Sequence, residues 1–439
     1  MTSDFAHHPV DPEAAGRLSG SGLRLGLVDT DDAGMFRAWL QATSRGFHGS
    51  RQDQESLAAS MAGLAHRRTT GVWEEGADAV SEPVGTVSSW PAELSLPGGH
   101  SVEAWAVSSV SVSPAHRRRG IARAMLEAEL ATASALGAPL SILTVSESTI
   151  YGRFGFAPAV FATNLTIETR RATWVGPLPE GRLRFVTLDD ARALLPELHD
   201  RGRGGVPGQI DVWGLRWDQF VALAGDDRDR AKKLRAIRYD DAAGVVQGLA
   251  LYRATGGEED FTKHVLELEF LLSTTGDAYA ALWRFVLGMD LVSEVRAYLR
   301  SVDEPLRWQV ADQRAIKESI EDHLWVRILD VPIALEARGY AADGRIGLEV
   351  SDVYGYAAGR FLLTAGGGAG SVTRVEGAFP DGVPALAMTV NELSSLYLGA
   401  VSATVLAASG RVTELTPDAG AAAAALFRSP VTPWLNVWF

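Results

Sequence analysis

The chain has 439 residues, room for about three domains of ordinary size, and its 46% hydrophobic and 22% charged residues describe a globular chain rather than a disordered or fibrous one. Lys and Arg total 41 against 54 Asp and Glu, a formal net charge of −13, which disfavours a general nucleic-acid binder because phosphate contacts need a basic surplus. The absence of cysteine excludes disulfides, thiolate zinc sites, iron–sulfur clusters and cysteine nucleophiles together, and the 9 histidines show no metal-ligating spacing.

In chain order, Met1 to Gly22 has no basic start and no apolar stretch, so it reads as a loose tail rather than a targeting segment. Leu23 to Leu27 alternates like an edge strand, and Thr30, Asp31 and Asp32 offer caps for a helix bearing Met35, Phe36, Trp39 and Leu40. Ser109-Val110-Ser111-Val112-Ser113 alternates as a strand that Pro114 ends. A basic turn, His116-Arg117-Arg118-Arg119-Gly120, then leads into a helix with Ile121, Ala124, Met125 and Ala128 on its apolar face. Leu140 to Val145 is a further strand.

Near Gly181 the pattern restarts: a strand at Leu183–Val186, a Thr187-capped helix, then a strand over His264–Ser273 followed by a helix with Tyr279, Leu282, Trp283 and Val286. The repeated order points to two copies of one α/β unit. Within the second copy, Asp226-Asp227-Arg228-Asp229-Arg230 reads as a solvated loop. A third unit starts near Asp322; its Gly366–Gly370 run lacks the Lys-Ser/Thr of a phosphate loop and reads as a turn. The uncharged stretch Leu393–Gly410 approaches the length of a membrane span, but its serines and threonines predict a helix buried on one face of a globular domain. The last seven residues, Pro433 to Phe439, hold three aromatics, which predicts a tucked-in end.

A strand running into a basic, glycine-containing turn at a helix N-terminus is a phosphate cradle. First-turn N–H groups and the positive end of the helix dipole face an anion, glycine permits close approach, and arginines add charge-assisted contacts. Read alone, the same run also fits a solvated basic segment or a localisation signal. Its surroundings favour the cradle. Arg117-Arg118-Arg119-Gly120-Ile121-Ala122 resembles the acetyl-CoA motif of the GCN5-related N-acetyltransferase superfamily, Arg/Gln-x-x-Gly-x-Gly/Ala, after the expected Val-x-Val-x-Pro strand end. Tyr151-Gly152-Arg153-Phe154-Gly155-Phe156 matches that superfamily's Tyr-x-x-x-Gly-Phe ending.

The resemblance implies two parallel strands that splay apart to admit the pantetheine arm of acetyl-CoA. It implies that Val110 and Val112 offer backbone groups to that arm, with Ser111 between them, and that Arg117, Arg118 and Gly120 hold the pyrophosphate. Arg119, Ile121, Ala122 and Ser146 belong to the same implied cofactor-binding set, and Tyr151 falls near the thioester sulfur as general acid. A phenol of pKa about 10 suits a departing thiolate whose conjugate acid lies near 8–9. The second copy has Thr275-Gly276-Asp277-Ala278 at the corresponding turn, with no arginine and a carboxylate in the phosphate's place, so one cofactor site per chain is expected.

With the Leu324–Pro332 segment and the aromatic ending added, the chain is similar to the Eis (enhanced intracellular survival) family. That implies an α/β (α+β) architecture: tandem GCN5-related N-acetyltransferase folds, the second degenerate, then a sterol-carrier-protein-like domain. The expected boundaries are a disordered tail over 1–22 and domains over 23–176, 177–320 and 321–439. The family further implies a homohexamer using acetyl-CoA; by the sequence itself the cytoplasm is the default location, and no metal, nucleic-acid or membrane partner is expected. The implied acceptors are cationic amines: aminoglycosides at several positions, polyamines or protein lysines. The terminal carboxylate of Phe439 is implied as general base. An α-carboxyl with a pKa of about 3.5 is a weak base for an ammonium, so it binds the cation and relays its proton. A rival from another class is a hydrophobic-ligand carrier with vestigial acetyltransferase lobes, against which the intact Arg117–Ala122 turn speaks.

Overall fold

The computed structural model describes residues 5–78, 80–225 and 228–439. Two compact units are distinguished: one runs to Val160 and is rejoined by Asp322–Val431 and Trp438–Phe439, and the other holds Phe161–Glu321 with Thr432–Val437. The expected ends at 176 and 320 compare with divisions at 160 and 321.

The chain opens with α1 (Pro12–Ser19), β1 (Leu23–Leu27), α2 (Ala33–Gly46), α3 (Gln54–Leu64), β2 (Arg68–Glu74), β3 (Gly85–Leu96), β4 (His100–Val112), α4 (Ile121–Ala135), β5 (Leu140–Thr144) and the single turn α5 (Ser148–Tyr151). The strands lie in the order β1-β2-β3-β4-β5. Helix α4 buries Ile121, Ala124, Met125 and Ala128 in a core shared with Val87, Trp105 and Val107, as its periodicity predicts. The loose-tail expectation fails within the described residues; Met1–Asp4 fall outside them. Asp11 caps α1 by accepting the Ala14 N–H at 2.8 Å, Pro12 occupies the first helical position, and Ala14 and Leu18 join the core of α4.

The second unit comprises the later half of β6 (Ala157–Glu168), then β7 (Arg182–Val186), α6 (Leu188–Arg203), α7 (Gly214–Phe220), α8 (Arg228–Lys233), β8 (Arg235–Asp240), β9 (Val246–Thr255), β10 (His264–Ser273), α9 (Gly276–Leu287), β11 (Val292–Ser301) and the start of β12 (Ile316–Ile328). Its strands run β6-β11-β10-β9-β8-β7, with β10 and β11 parallel. Of the expected loop over 226–230, Asp226 and Asp227 fall outside the described residues, and α8 begins at Arg228.

The third segment adds α10 (Val331–Ala337), β13 (Gly344–Ser351), β14 (Gly359–Gly366), β15 (Ala369–Arg374), β16 (Ala385–Thr389), α11 (Val390–Leu396), α12 (Ala403–Ala408), β17 (Thr413–Glu414) and α13 (Ala419–Phe427) around a five-stranded sheet ordered β15-β14-β13-β16-β17. The glycine run is the turn between β14 and β15. Leu393–Gly410 is not one helix but parts of α11 and α12 with a break between them, and no helix among the described residues is long and apolar enough to cross a membrane.

The last strand residues of β12 close the first sheet: Leu324–Ile328 pair antiparallel with Thr144–Leu140 of β5. Arg327 in that strand has a fully buried side chain, and its Nη2 donates to both carboxylate oxygens of buried Asp352, at 2.9 and 2.8 Å. Its Nε donates to Phe154 O at 3.0 Å, and a further N–H donates to Ile328 O. Desolvation lowers its pKa and Asp352 opposes that shift. Removing one partner of such a pair strands a buried charge, a cost of about 3–5 kcal/mol. Asp352→Ala is therefore expected to lower unfolding free energy by about that much in a denaturant titration, and a change under about 1 kcal/mol contradicts this role.

Candidate active site

Strands β4 and β5 run parallel, yet they pair only at Trp105↔Ser141 and Ala106↔Ile142. Beyond Ala106, β4 continues to Val112 while β5 keeps its partner on the other side in β12, so a wedge opens along the later half of β4. The opposite edge of β4 stays paired with β3, where the register shifts between Thr86 and Ser88. Ser109 takes up that irregularity with φ of 57°, and Thr86 steadies it by donating to Ser109 O at 2.8 Å while its hydroxyl meets that of Ser111 at 2.7 Å. Val110 and Val112 pack their side chains against the core. That leaves their backbones as the polar groups bordering the wedge.

Past Pro114 the chain makes a tight turn with Arg118 at φ 62° and Gly120 at φ 79°. Gly120 precedes α4 without any side-chain cap, so the first-turn N–H groups are not consumed by one. Space does not demand glycine there, since a Cβ would touch nothing within 4 Å; the left-handed backbone does. Arg117 and Arg118 are exposed and make no hydrogen bond or ion pair among the described residues. Arg119 is set apart from them, donating to Ser21 O at 2.6 Å. Ile121 buries its side chain, so only its backbone can face the turn, and Ala122 is half-buried beside it. A hydrogen bond between His116 and Glu74 at 2.9 Å ties down the turn and holds the Glu74 carboxyl below its ordinary value.

Tyr151 is buried at the end of α5 and meets Phe156 edge-on. Burial pushes its phenol above the ordinary value of 10.0, a hydrogen bond with Ser146 opposes that shift, and Glu147 adds to it. Ser146 is thereby brought to the tyrosine rather than to the arginine turn. The segment after Tyr151 is fixed from two directions: Arg327 donates to Phe154 O at 3.0 Å, and Asn391 donates to both Gly152 O and Phe156 O at 2.9 Å. Gly155 has φ of 86°, and a Cβ there would sit 2.5 Å from Arg327 Nε, so both backbone and neighbour require glycine in the Tyr-x-x-x-Gly-Phe pattern.

Phe439 lies at the end of β5. The Thr144 hydroxyl donates to Phe439 O at 2.7 Å and accepts from Phe439 N–H at 3.3 Å. The Phe439 ring meets Trp90 edge-on at 5.7 Å, and Arg67 lies over the Trp90 ring at 3.6 Å. Burial pushes the Arg67 guanidinium down to about 9, so it keeps its charge at neutral pH. Trp438 packs on His323 with centroids 4.5 Å apart. Nothing in local sequence marks Thr144, Asn391 or Arg67, which act through residues remote in the chain.

The second unit carries a similar wedge with different contents. Strand β10 pairs with β11 as far as Leu268↔Ala297 and then departs. Arg300 crosses the gap, donating to Leu271 O at 3.3 Å and to Glu304 at 3.0 Å, and Trp434 covers its guanidinium at 4.9 Å. Helix α9 is capped by its own chain, Thr275 Oγ1 accepting the Ala278 N–H at 3.1 Å, and Asp277 stands in its first turn. Side chains thus fill the space and cap the helix end that remain open in the first unit.

An open strand edge, an uncapped helix start and unpaired arginines fit an acyl-coenzyme donor, the arrangement expected of a GCN5-related acetyltransferase. Comparison with known proteins agrees. Models of the acetyltransferase (GNAT) domain match residues 31–159 and 210–328, and a sterol carrier protein domain matches 331–436. An N-acetyltransferase of Streptomyces avermitilis is 36% identical over 90% of this chain and 94% of its own length. N-acetyltransferase Eis of Mycobacterium tuberculosis is 34% identical over 78% of this chain and 82% of its own. The crystal structure of Eis1 from Mycobacterium abscessus superposes with a TM-score of 0.79 at 26% identity, covering 95% of this chain and all of that one. The chain belongs to the Eis family of GCN5-related N-acetyltransferases, enzymes that use acetyl-CoA as acyl donor.

If Arg117 and Arg118 grip phosphate oxygens, replacing both with alanine removes two charge-assisted contacts and raises the dissociation constant for acetyl-CoA on the order of a hundredfold. Calorimetry checks this, and unchanged affinity contradicts the assignment.

Proposed function

We propose that this enzyme acetylates amines of cationic small molecules, aminoglycosides foremost and at more than one position, with Tyr151 as general acid and the Phe439 terminal carboxylate as general base. The supporting observation is that Thr144 anchors Phe439 at the end of β5, the strand that borders the wedge and leads into the Tyr151 turn. Acetyl-CoA supplies the thioester, whose acetyl carbon forms a bond to the amine nitrogen as its bond to sulfur breaks. The carboxylate attracts the substrate ammonium and relays one proton from it to solvent, directly or through water; Tyr151 gives its own proton to the departing sulfur, and the second proton shed by the acylated nitrogen restores the phenol. Raised above 10, the phenol stays protonated throughout the neutral range, as an acid must. The net charge of −13 favours encounter with a polycation. Assembly as a homohexamer accompanies this reading by family resemblance, the cytoplasm is the expected location, and light scattering of the purified protein tests the oligomer.

For the carrier reading, a groove of about 510 Å³ in the sterol-carrier-like domain mixes charged Asp343, Arg345 and Asp381 with apolar Val383, Pro384 and Leu426, whereas the open edge of β4 favours an acyl donor.

The direct assay follows thiol release from acetyl-CoA with kanamycin, spermidine and a lysine peptide, and mass spectrometry counts acetyl groups on each product. No turnover on any amine defeats the proposal, and turnover on the peptide alone redirects it to protein lysines. Tyr151→Phe is expected to lower kcat by about a hundredfold, the low end for a general acid. The parent's alkaline limb lies above pH 10, because activity persists until pH rises through the elevated phenol pKa. A limb near neutrality that Tyr151→Phe leaves in place assigns the acid elsewhere.

A further inference from the structure

We propose that Thr144 is the positioning residue that aims the terminal carboxylate, an inference that rests on the base role given to Phe439 above. A threonine hydroxyl has one proton and two lone pairs. Here the proton goes to Phe439 O at 2.7 Å and a lone pair takes the Phe439 N–H at 3.3 Å, so one side-chain atom holds both backbone ends of the same residue. Contacts to the nitrogen and to the carboxyl oxygen limit rotation of the terminal group, and the Phe439 ring against Trp90 supplies a third point.

The hydroxyl is itself held. Thr144 is β-branched, which narrows its rotamer choice. Its backbone pairs with Leu324, and the next residue, Val145, donates to His323 O at 3.1 Å. One carboxyl oxygen engaged by Thr144 leaves the other to meet an ammonium. A free carboxylate at a chain end has no such restriction, and displacement of a reacting group by about 1 Å can cost about a hundredfold in rate. Thr144 is therefore assigned to the orientation of the base and not to the chemistry, and it should act on kcat while leaving donor binding alone.

The test uses the full chain with three changes: Thr144→Val, which keeps the shape and removes the hydroxyl; Thr144→Ser, which keeps the hydroxyl; and an extension of one glycine past Phe439, which turns its carboxylate into an amide. Thr144→Val is expected to lower kcat about tenfold or more while the calorimetric affinity for acetyl-CoA stays within about twofold, and Thr144→Ser should recover most of the loss. In the extended chain, Thr144→Val should add no further loss, because the group it orients is already gone. Parental kcat in Thr144→Val overturns the inference, as does a serine variant as impaired as the valine one. The same fold-loss repeated in the extended chain also overturns it, by marking the effect as structural. The base role fails separately: an extension that leaves kcat at the parental level defeats that reading, whereas an extension that abolishes turnover while Thr144→Val preserves it defeats the positioning role alone.

Discussion

The early separation of β4 from β5 is the constraint around which this site is arranged. Two parallel strands that stay together satisfy their own backbone groups, and two that part leave a row of donors and acceptors needing another partner. A wedge of this kind collapses unless both sides are held. On one side, β4 is locked to β3 through the Ser109 irregularity and its Thr86 contacts. On the other, β5 is locked to Leu324–Ile328, and the segment after Tyr151 is tied by Arg327 and Asn391. The arginine turn then closes the end where α4 begins.

The second unit shows how the same layout is put to structural use. Its strands part in the same way, but Arg300 satisfies the buried Leu271 carbonyl from within the protein, and Glu304 neutralises the cation so placed. The Thr275 cap and Asp277 remove what an anion would seek at the helix start. A buried, compensated arginine is a stable filling, which accounts for a duplicated fold with one groove left open.

Sequence carried the chemistry-bearing turns well because each is local. Arg117–Ala122 and Tyr151–Phe156 are short runs whose glycines answer to backbone conformation, and φ values of 79° at Gly120 and 86° at Gly155 are what such patterns encode. The tandem order was legible from repeated strand–helix spacing. What escaped was either non-local or masked by composition. Asp11-Pro12 is a readable helix start and Ala14 and Leu18 lie one turn apart on its apolar face, but the segment's predominantly polar composition masks the helix. Leu393–Gly410 looks continuous by hydropathy, yet Gly399 at φ 86° stands where the chain breaks between α11 and α12.

The link between Arg327 and Phe154, 173 residues apart, bears on how the molecule comes into being. Synthesis proceeds from the N-terminus, so β5 leaves the ribosome long before the strand that covers its outer edge. Until then the nascent lobe presents a bare strand flank, the kind of surface that recruits unwanted partners. Contacts this distant along the chain are slow to form. A fragment ending at residue 176 would carry that flank permanently, so the first lobe is a domain by shape but not an independent product of translation.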